Sequence, residues 1–333
     1  MPQRTRHLAI VALPWLLFAS ARAHDWHRHA ETTQIHIRVL PQSGASANDT
    51  LTGHRLLPVL HTRTTAKPEA AKHFEHFENV KVRWDAGTLF VESNGLPDHG
   101  MMVGIRNWQQ QVPLPQPFTG TNAWRIPLQP RLAQQPINAR QTAFRGAIAV
   151  AVNGVPIFSA LNNRGEDAYL AGELDKWGGH CGRGDDYHYH IAPVHLQKVV
   201  GPGQPIAFAL DGFPIYGLTE ADGSPVGPLD ELNGQFDEAG NYHYHATKTY
   251  PYINGGVRGV VDFRNGEIAS QPRDSPVRPG QPPLRGAVIT DFQTRGTQSV
   301  LTYQLRGQTG SITYAPAGRD TYRFTYREPG GRT

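Results

Sequence analysis

Tyr187-His188-Tyr189-His190 recurs unchanged as Tyr242-His243-Tyr244-His245. Upstream of each copy the match continues. Val152-Asn153-Gly154-Val155-Pro156-Ile157-Phe158 resembles Leu210-Asp211-Gly212-Phe213-Pro214-Ile215-Tyr216, Leu174-Asp175 matches Leu229-Asp230, and Gly179 matches Gly234. From Leu174 through the tetrapeptide the offset is a constant 55 residues, without a gap. Gap-free self-similarity marks a duplicated unit. Each unit reads as two short strands around an Asn-Gly or Asp-Gly turn, then a loop, then a His-x-His strand. The copies span about residues 144–200 and 201–262.

Side chains alternate faces along a strand, so His188 and His190 share one face and Tyr187 and Tyr189 the other. The same holds for His243 and His245. Two imidazoles on one strand face can approach a single ion, and neutral imidazole suits zinc, copper, iron and nickel. Copies that pack through equivalent faces would bring the two His-x-His strands together, with at least three of the four rings on one metal. His180 and Cys181 lie just before the first tetrapeptide, where the second copy has Gln235 and Phe236. An imidazole outranks an amide carbonyl as a donor, so His180 is the expected loop ligand and Gln235 is not. Cys181 reads equally as a soft ligand or as a buried inert thiol. Acid–base catalysis by histidine without a metal stays open, but no nucleophile elbow, H-E-x-x-H pair or P-loop accompanies it.

The remaining histidines give weaker signals. Residues 66–79 predict a helix with Phe74 and Phe77 on one face, and its His73 and His76 read as solvated positions rather than a metal pair. His99 reads as either structural or reaching the site from the amino-terminal region. His195 reads as structural, and Asp175 and Asp211 as turn supports.

Around the duplicated core the expected class is mainly β, a β-rich α+β chain. Val80, Val82 and Trp84 alternate ahead of the turn at 85–87 and the return at 89–92. Residues 93–142 are rich in turns, Pro and Gln. The core domain is read as 24–268, followed by a Pro-rich linker at 269–284 and a small antiparallel β-domain at 285–333.

The chain opens with Arg4, Arg6 and His7, then a short apolar run and Ala21-Arg22-Ala23. This pattern predicts a signal peptide over residues 1–23, and hence an exported protein (periplasmic, cell-surface or extracellular) with no transmembrane segment once it is removed. Cleavage there would expose His24, whose amine and ring could brace a copper ion with help from His27 and His29. Removing Arg4, Arg6 and Arg22 leaves 29 basic against 28 acidic residues, so the charge gives no footprint for nucleic acid. With Cys181 the sole cysteine, no intrachain disulfide can form.

The chain resembles the YHYH-domain family of exported proteins. The residues that carry the likeness are Ser93-Asn94-Gly95-Leu96-Pro97-Asp98-His99, Asp211 to Gly217, Gly240 to Thr247, Tyr250-Pro251-Tyr252 and Arg258-Gly259, within roughly residues 80–262. The resemblance implies the domain and no particular activity. Many members of the family carry Cys in the loop before the second tetrapeptide and again after the aromatic-Pro-Tyr segment. Here both regions lack it, and Gln235 stands where members often have His. The functional expectation is an exported protein binding a transition metal ion, copper or zinc, through His188, His190, His243, His245 and His180. The alternatives are a metal-dependent hydrolase or oxidoreductase, and an envelope interaction module whose histidines are structural.

Overall fold

The computed structural model describes residues 34–38 (backbone only), 66–142, 144–318 and 321–331. The expected signal peptide and the His24, His27 and His29 brace lie outside the described residues. The described chain is mostly β.

Its centre is an eight-stranded sheet built from the two repeats. The first supplies β1 (Ala147–Ala151), β2 (Pro156–Phe158), β3 (Gly179–Cys181) and β4 (Tyr187–Tyr189). The second supplies β5 (Ala207–Ala209), β6 (Pro214–Tyr216), β7 (Gly234–Phe236) and β8 (Tyr242–His245). The strand order is β7-β8-β6-β5-β1-β2-β4-β3, a palindrome under exchange of the repeats. Within each repeat the hairpin strands are antiparallel, the second of them pairs parallel with the His-x-His strand, and the loop strand closes the edge antiparallel.

The repeats meet at β1 and β5, which pair antiparallel with Ala149 opposite Ala209, Val150 opposite Phe208 and Ala151 opposite Ala207. In this region the offset between copies is 58 residues, so Val150 faces its own counterpart. The flanking hydrogen bonds, Val152 N to Ile206 O and Leu210 N to Ile148 O, are counterparts too, at 3.0 and 2.9 Å. A pseudo-two-fold axis therefore runs through the Val150–Phe208 pair. Four of the six paired residues are Ala, and all six are buried.

The predicted amino-terminal hairpin is present as Lys81–Trp84 and Thr88–Glu92, and Trp124–Pro127 adds a third strand. The predicted helix shortens to Glu69–Phe74. Phe74 and Phe77 are buried as expected, but His73 is buried as well, 5.8 Å from the Phe208 ring, which corrects its reading as a solvated position. His76 is exposed. Within the turn-rich stretch, Leu132–Asn138 forms a strand that pairs with Gly256–Gly259.

At the carboxy terminus Val288–Arg295, Gln298–Leu305, Gln308–Gly318 and Thr321–Arg327 form consecutive antiparallel hairpins, extended at one edge by Gln34–Arg38. The Pro-rich stretch before them lies against the core. Arg278 makes a buried double hydrogen bond to the Asp185 carboxylate at 2.7 and 2.8 Å, and Leu284 N donates to Trp108 O. No helix among the described residues is long and apolar enough to cross a membrane.

Candidate metal centre

Each His-x-His strand is held by the same scaffold. Asp175 Oδ1 accepts from the backbone N–H of Trp177 and Gly179, while its other oxygen accepts from Tyr187 Oη at 2.8 Å. Asp230 does the same for Leu232, Gly234 and Tyr242, also at 2.8 Å. These are the turn-supporting roles expected of Asp at such positions. The second tyrosine of each tetrapeptide reaches the Asx of its hairpin turn: Asn153 Nδ2 donates to Tyr189 Oη, and Tyr244 Oη donates to Asp211 Oδ2 at 2.6 Å. With the tyrosines anchored behind the strand, the histidines project from the other face. The loop strand packs closely beside the His-x-His strand on the tyrosine face, where a Cβ on Gly179 would lie 2.5 Å from Tyr187 Cζ.

In the first repeat three imidazoles converge. Strand register sets His180 opposite His188. His188 Nε2 lies 3.2 Å from His190 Nε2, which lies 3.1 Å from His180 Nε2. The other ring nitrogens face acceptors: His188 Nδ1 meets Asp186 O at 3.0 Å and His190 Nδ1 meets Ser159 O at 2.6 Å. The Glu173 backbone lies beside the His180 ring. A carbonyl accepts only, so Nδ1 of His188 and of His190 keeps its proton and the Nε2 of each presents a bare lone pair. Acceptors at this separation have nothing to exchange. Four nitrogens at 2.0–2.1 Å around a tetrahedral zinc stand about 3.3 Å apart, close to what these rings adopt. Carbonyls that orient ligating rings through the far nitrogen are the usual outer support of such sites.

The surroundings favour neutral rings. Burial pushes His180 well below its ordinary value, helped by like charge on His188 and His190. Burial likewise takes His190 down to about 3. Phe158 stacks on His188 with ring centroids 3.8 Å apart. The cluster opens on a cavity of about 560 Å³, whose other walls include Phe144, Arg145, Arg164 and Arg183. Arg164 is tied to Glu166 and Glu173. Cys181 alternates away from His180, is buried, and is not among the clustered ligand atoms; burial, with Asp185 and Asp186 nearby, raises its thiol well above the usual range.

His243 and His245 are elsewhere. Four strands intervene between β4 and β8, about 24 Å along a sheet at the usual ~4.8 Å spacing. The expectation of one shared site is thereby corrected: the repeats pack through β1 and β5, which drives the His-x-His strands outward. His243 and His245 group instead with Glu220, with ligand atoms within 4.8 Å of one another, just as His180, His188 and His190 form their own group. Gln235 sits opposite His243 in the position His180 takes opposite His188. Its Nε2 donates to Glu220 Oε1 at 2.8 Å and approaches His243 Nε2 at 3.3 Å.

Glu220 was not singled out from the sequence. The repeat supplied the signal, since it is the counterpart of Asn162 at the hairpin offset. Asn162 N donates to Glu166 O, and Glu220 N to Ser224 O. His99 does not join either group. It hydrogen-bonds Tyr189 Oη at 2.7 Å from behind the strand and packs on Trp177 and His195.

No curated protein and no solved structure gives a significant match. Residues 123–226 match the family model described as YHYH protein. This is narrower than the stretch over which the sequence motifs suggested the likeness: it holds the first tetrapeptide and the Asp211-to-Gly217 segment, and stops before the second tetrapeptide. Over those residues, with the three-histidine cluster inside them, the chain carries a YHYH-family domain.

Proposed function

We propose that the chain is an exported transition-metal-binding protein whose principal site is His180, His188 and His190, with copper or zinc as the ion. One observation carries the reading: three Nε2 atoms converge, and on the two buried rings, His188 and His190, the opposite edge is held by a backbone carbonyl. A buried acceptor without a donor costs about 1–3 kcal/mol, and a cation at the centre would relieve all three. Three neutral imidazoles suit zinc and copper, and the expected export makes copper accessible. Export itself rests on the leader-like opening sequence.

The test is elemental analysis of protein recovered from its native export compartment, with the variant His180→Ala/His188→Ala/His190→Ala alongside. Bound copper or zinc in the parent that is lost in the variant supports the proposal. Equal metal in both, or none in either, overturns it and returns the histidines to a structural role within an interaction module.

A metal-dependent hydrolase or oxidoreductase is the second reading, supported by the cavity over the three nitrogens. Three protein ligands leave a tetrahedral ion one position for water or substrate. Chelator-sensitive turnover of ester, phosphoester or dioxygen substrates, restored by the ion, would favour it. Stoichiometric metal without turnover would favour the binding protein.

A further inference from the structure

We infer that Glu220, His243 and His245 form a second metal site, independent of the three-histidine cluster and built for a harder divalent first-row ion. His245 is buried, with 1 % of its surface exposed. Its Nδ1 faces Gly217 O at 3.0 Å, so the proton resides there and Nε2 is a lone pair. That Nε2 has no hydrogen-bond partner among the described residues. Glu220 Oε2 lies 3.7 Å from it. Both are acceptors. An imidazole lone pair on a buried ring and a carboxylate oxygen facing each other are both satisfied by a cation between them.

The scaffold is the one that holds the first triad. His243 and His245 have ring centroids 5.1 Å apart at 67°, against 5.0 Å and 63° for His188 and His190. Gly217 O orients His245 as Ser159 O orients His190. Two exchanges change the donor set: Gln235 stands where the first copy has His180, and Glu220 where it has Asn162. The third imidazole lost from the loop strand is thus replaced by a carboxylate from the opposite loop. Gln235 holds Glu220 Oε1, leaving Oε2 turned toward the rings. Two imidazoles and one carboxylate put a negative charge on the ion and leave positions open. That donor set suits iron(II), cobalt(II), manganese(II) and zinc, whereas the uncharged first triad leans toward softer ions.

Zinc(II), which suits both donor sets, is the probe, with ions counted per chain by native mass spectrometry on the full purified chain. Glu220→Gln is isosteric and lies at a half-buried position, so it removes the charge without removing bulk. The expected result is two ions in the parent and one in Glu220→Gln. The variant His180→Ala/His188→Ala/His190→Ala should keep one, and His243→Ala should repeat the Glu220→Gln result. One ion in the parent, lost with the three-histidine variant and untouched by Glu220→Gln, overturns the second site and leaves the proposed function standing. One ion lost with Glu220→Gln and untouched by the three-histidine variant does the reverse. No ion in the parent overturns both.

Discussion

The Nε2 atoms of His188 and His190 lie 3.2 Å apart, and neither has a proton to offer the other, because each ring has turned its N–H to a backbone carbonyl. The carbonyls fix the tautomer and so prepare the pair to share an electrophile. His180 completes the set from the neighbouring strand.

Removing that third ring should show its weight. His180→Ala is expected to lower affinity for copper or zinc by at least about 100-fold, since even outer-support residues cost 10–100-fold when lost. Gln235→Ala, at the matching place in the second repeat, should leave this affinity within a few-fold. Competition against a chromophoric chelator measures both. Equal losses would sink the assignment of His180.

Acid should weaken the fold in a window set by a half-buried histidine. Burial, then like charge on His99, takes His195 down to about 4. The unfolded state therefore binds the proton first on acidification. Stability from this group is complete above about pH 6.5 and declines as the pH falls toward 4. Urea midpoints of the chelator-treated protein should drop across that window, and His195→Phe should flatten the decline. A variant slope equal to the parent's would contradict this.

The Arg278–Asp185 pair is buried on both sides, with side chains 4 % and 3 % exposed. Arg278→Met strands the Asp185 carboxylate, which also receives Val112 N. The expected cost is about 3–5 kcal/mol, read as a lower midpoint in thermal or urea denaturation. A change below about 1 kcal/mol would show that the carboxylate finds water or a proton instead.

Gly179→Ala should lose about 1–3 kcal/mol, because the new methyl meets the Tyr187 ring and the ring is fixed by Asp175. Gly87→Ala is the control, since nothing lies within 4 Å of its Cβ position. Denaturation midpoints compare them, and the metal affinity of Gly179→Ala should fall with its stability as His180 is displaced.

Much of this was legible in the sequence. Alternation placed the histidines on one face, the constant offset revealed the duplication, and the Asp-Gly and Asn-Gly turns located both hairpins. The carboxy-terminal antiparallel strands followed from the same alternation. What failed depended on contacts between distant segments. Nothing local in Ala149 or Ala209 announces that these strands form the junction, so the two tetrapeptides were expected to meet when they stand far apart. Glu220 sits in an ordinary turn and matters only through its distance from His245. Leu132–Asn138 reads as a Pro- and Gln-rich loop until Gly256–Gly259 pairs with it. His73 carries a polar ring at a helical position that proves to face Phe208.

The Val150–Phe208 axis has a historical meaning. In its register Ala149 pairs with the counterpart of Ala151, and Ala151 with the counterpart of Ala149, which is the self-complementary contact two identical subunits make about a dyad. One repeat alone would carry the same edge and could join a twin through it. The segment between Tyr189 and Ala207 makes that partner a permanent tenant of the same chain. Identical subunits must change together, whereas tethered halves can differ: one carries His180 on its loop strand, the other Gln235 there and Glu220 on the opposite loop, and neither arrangement is imposed on its sibling.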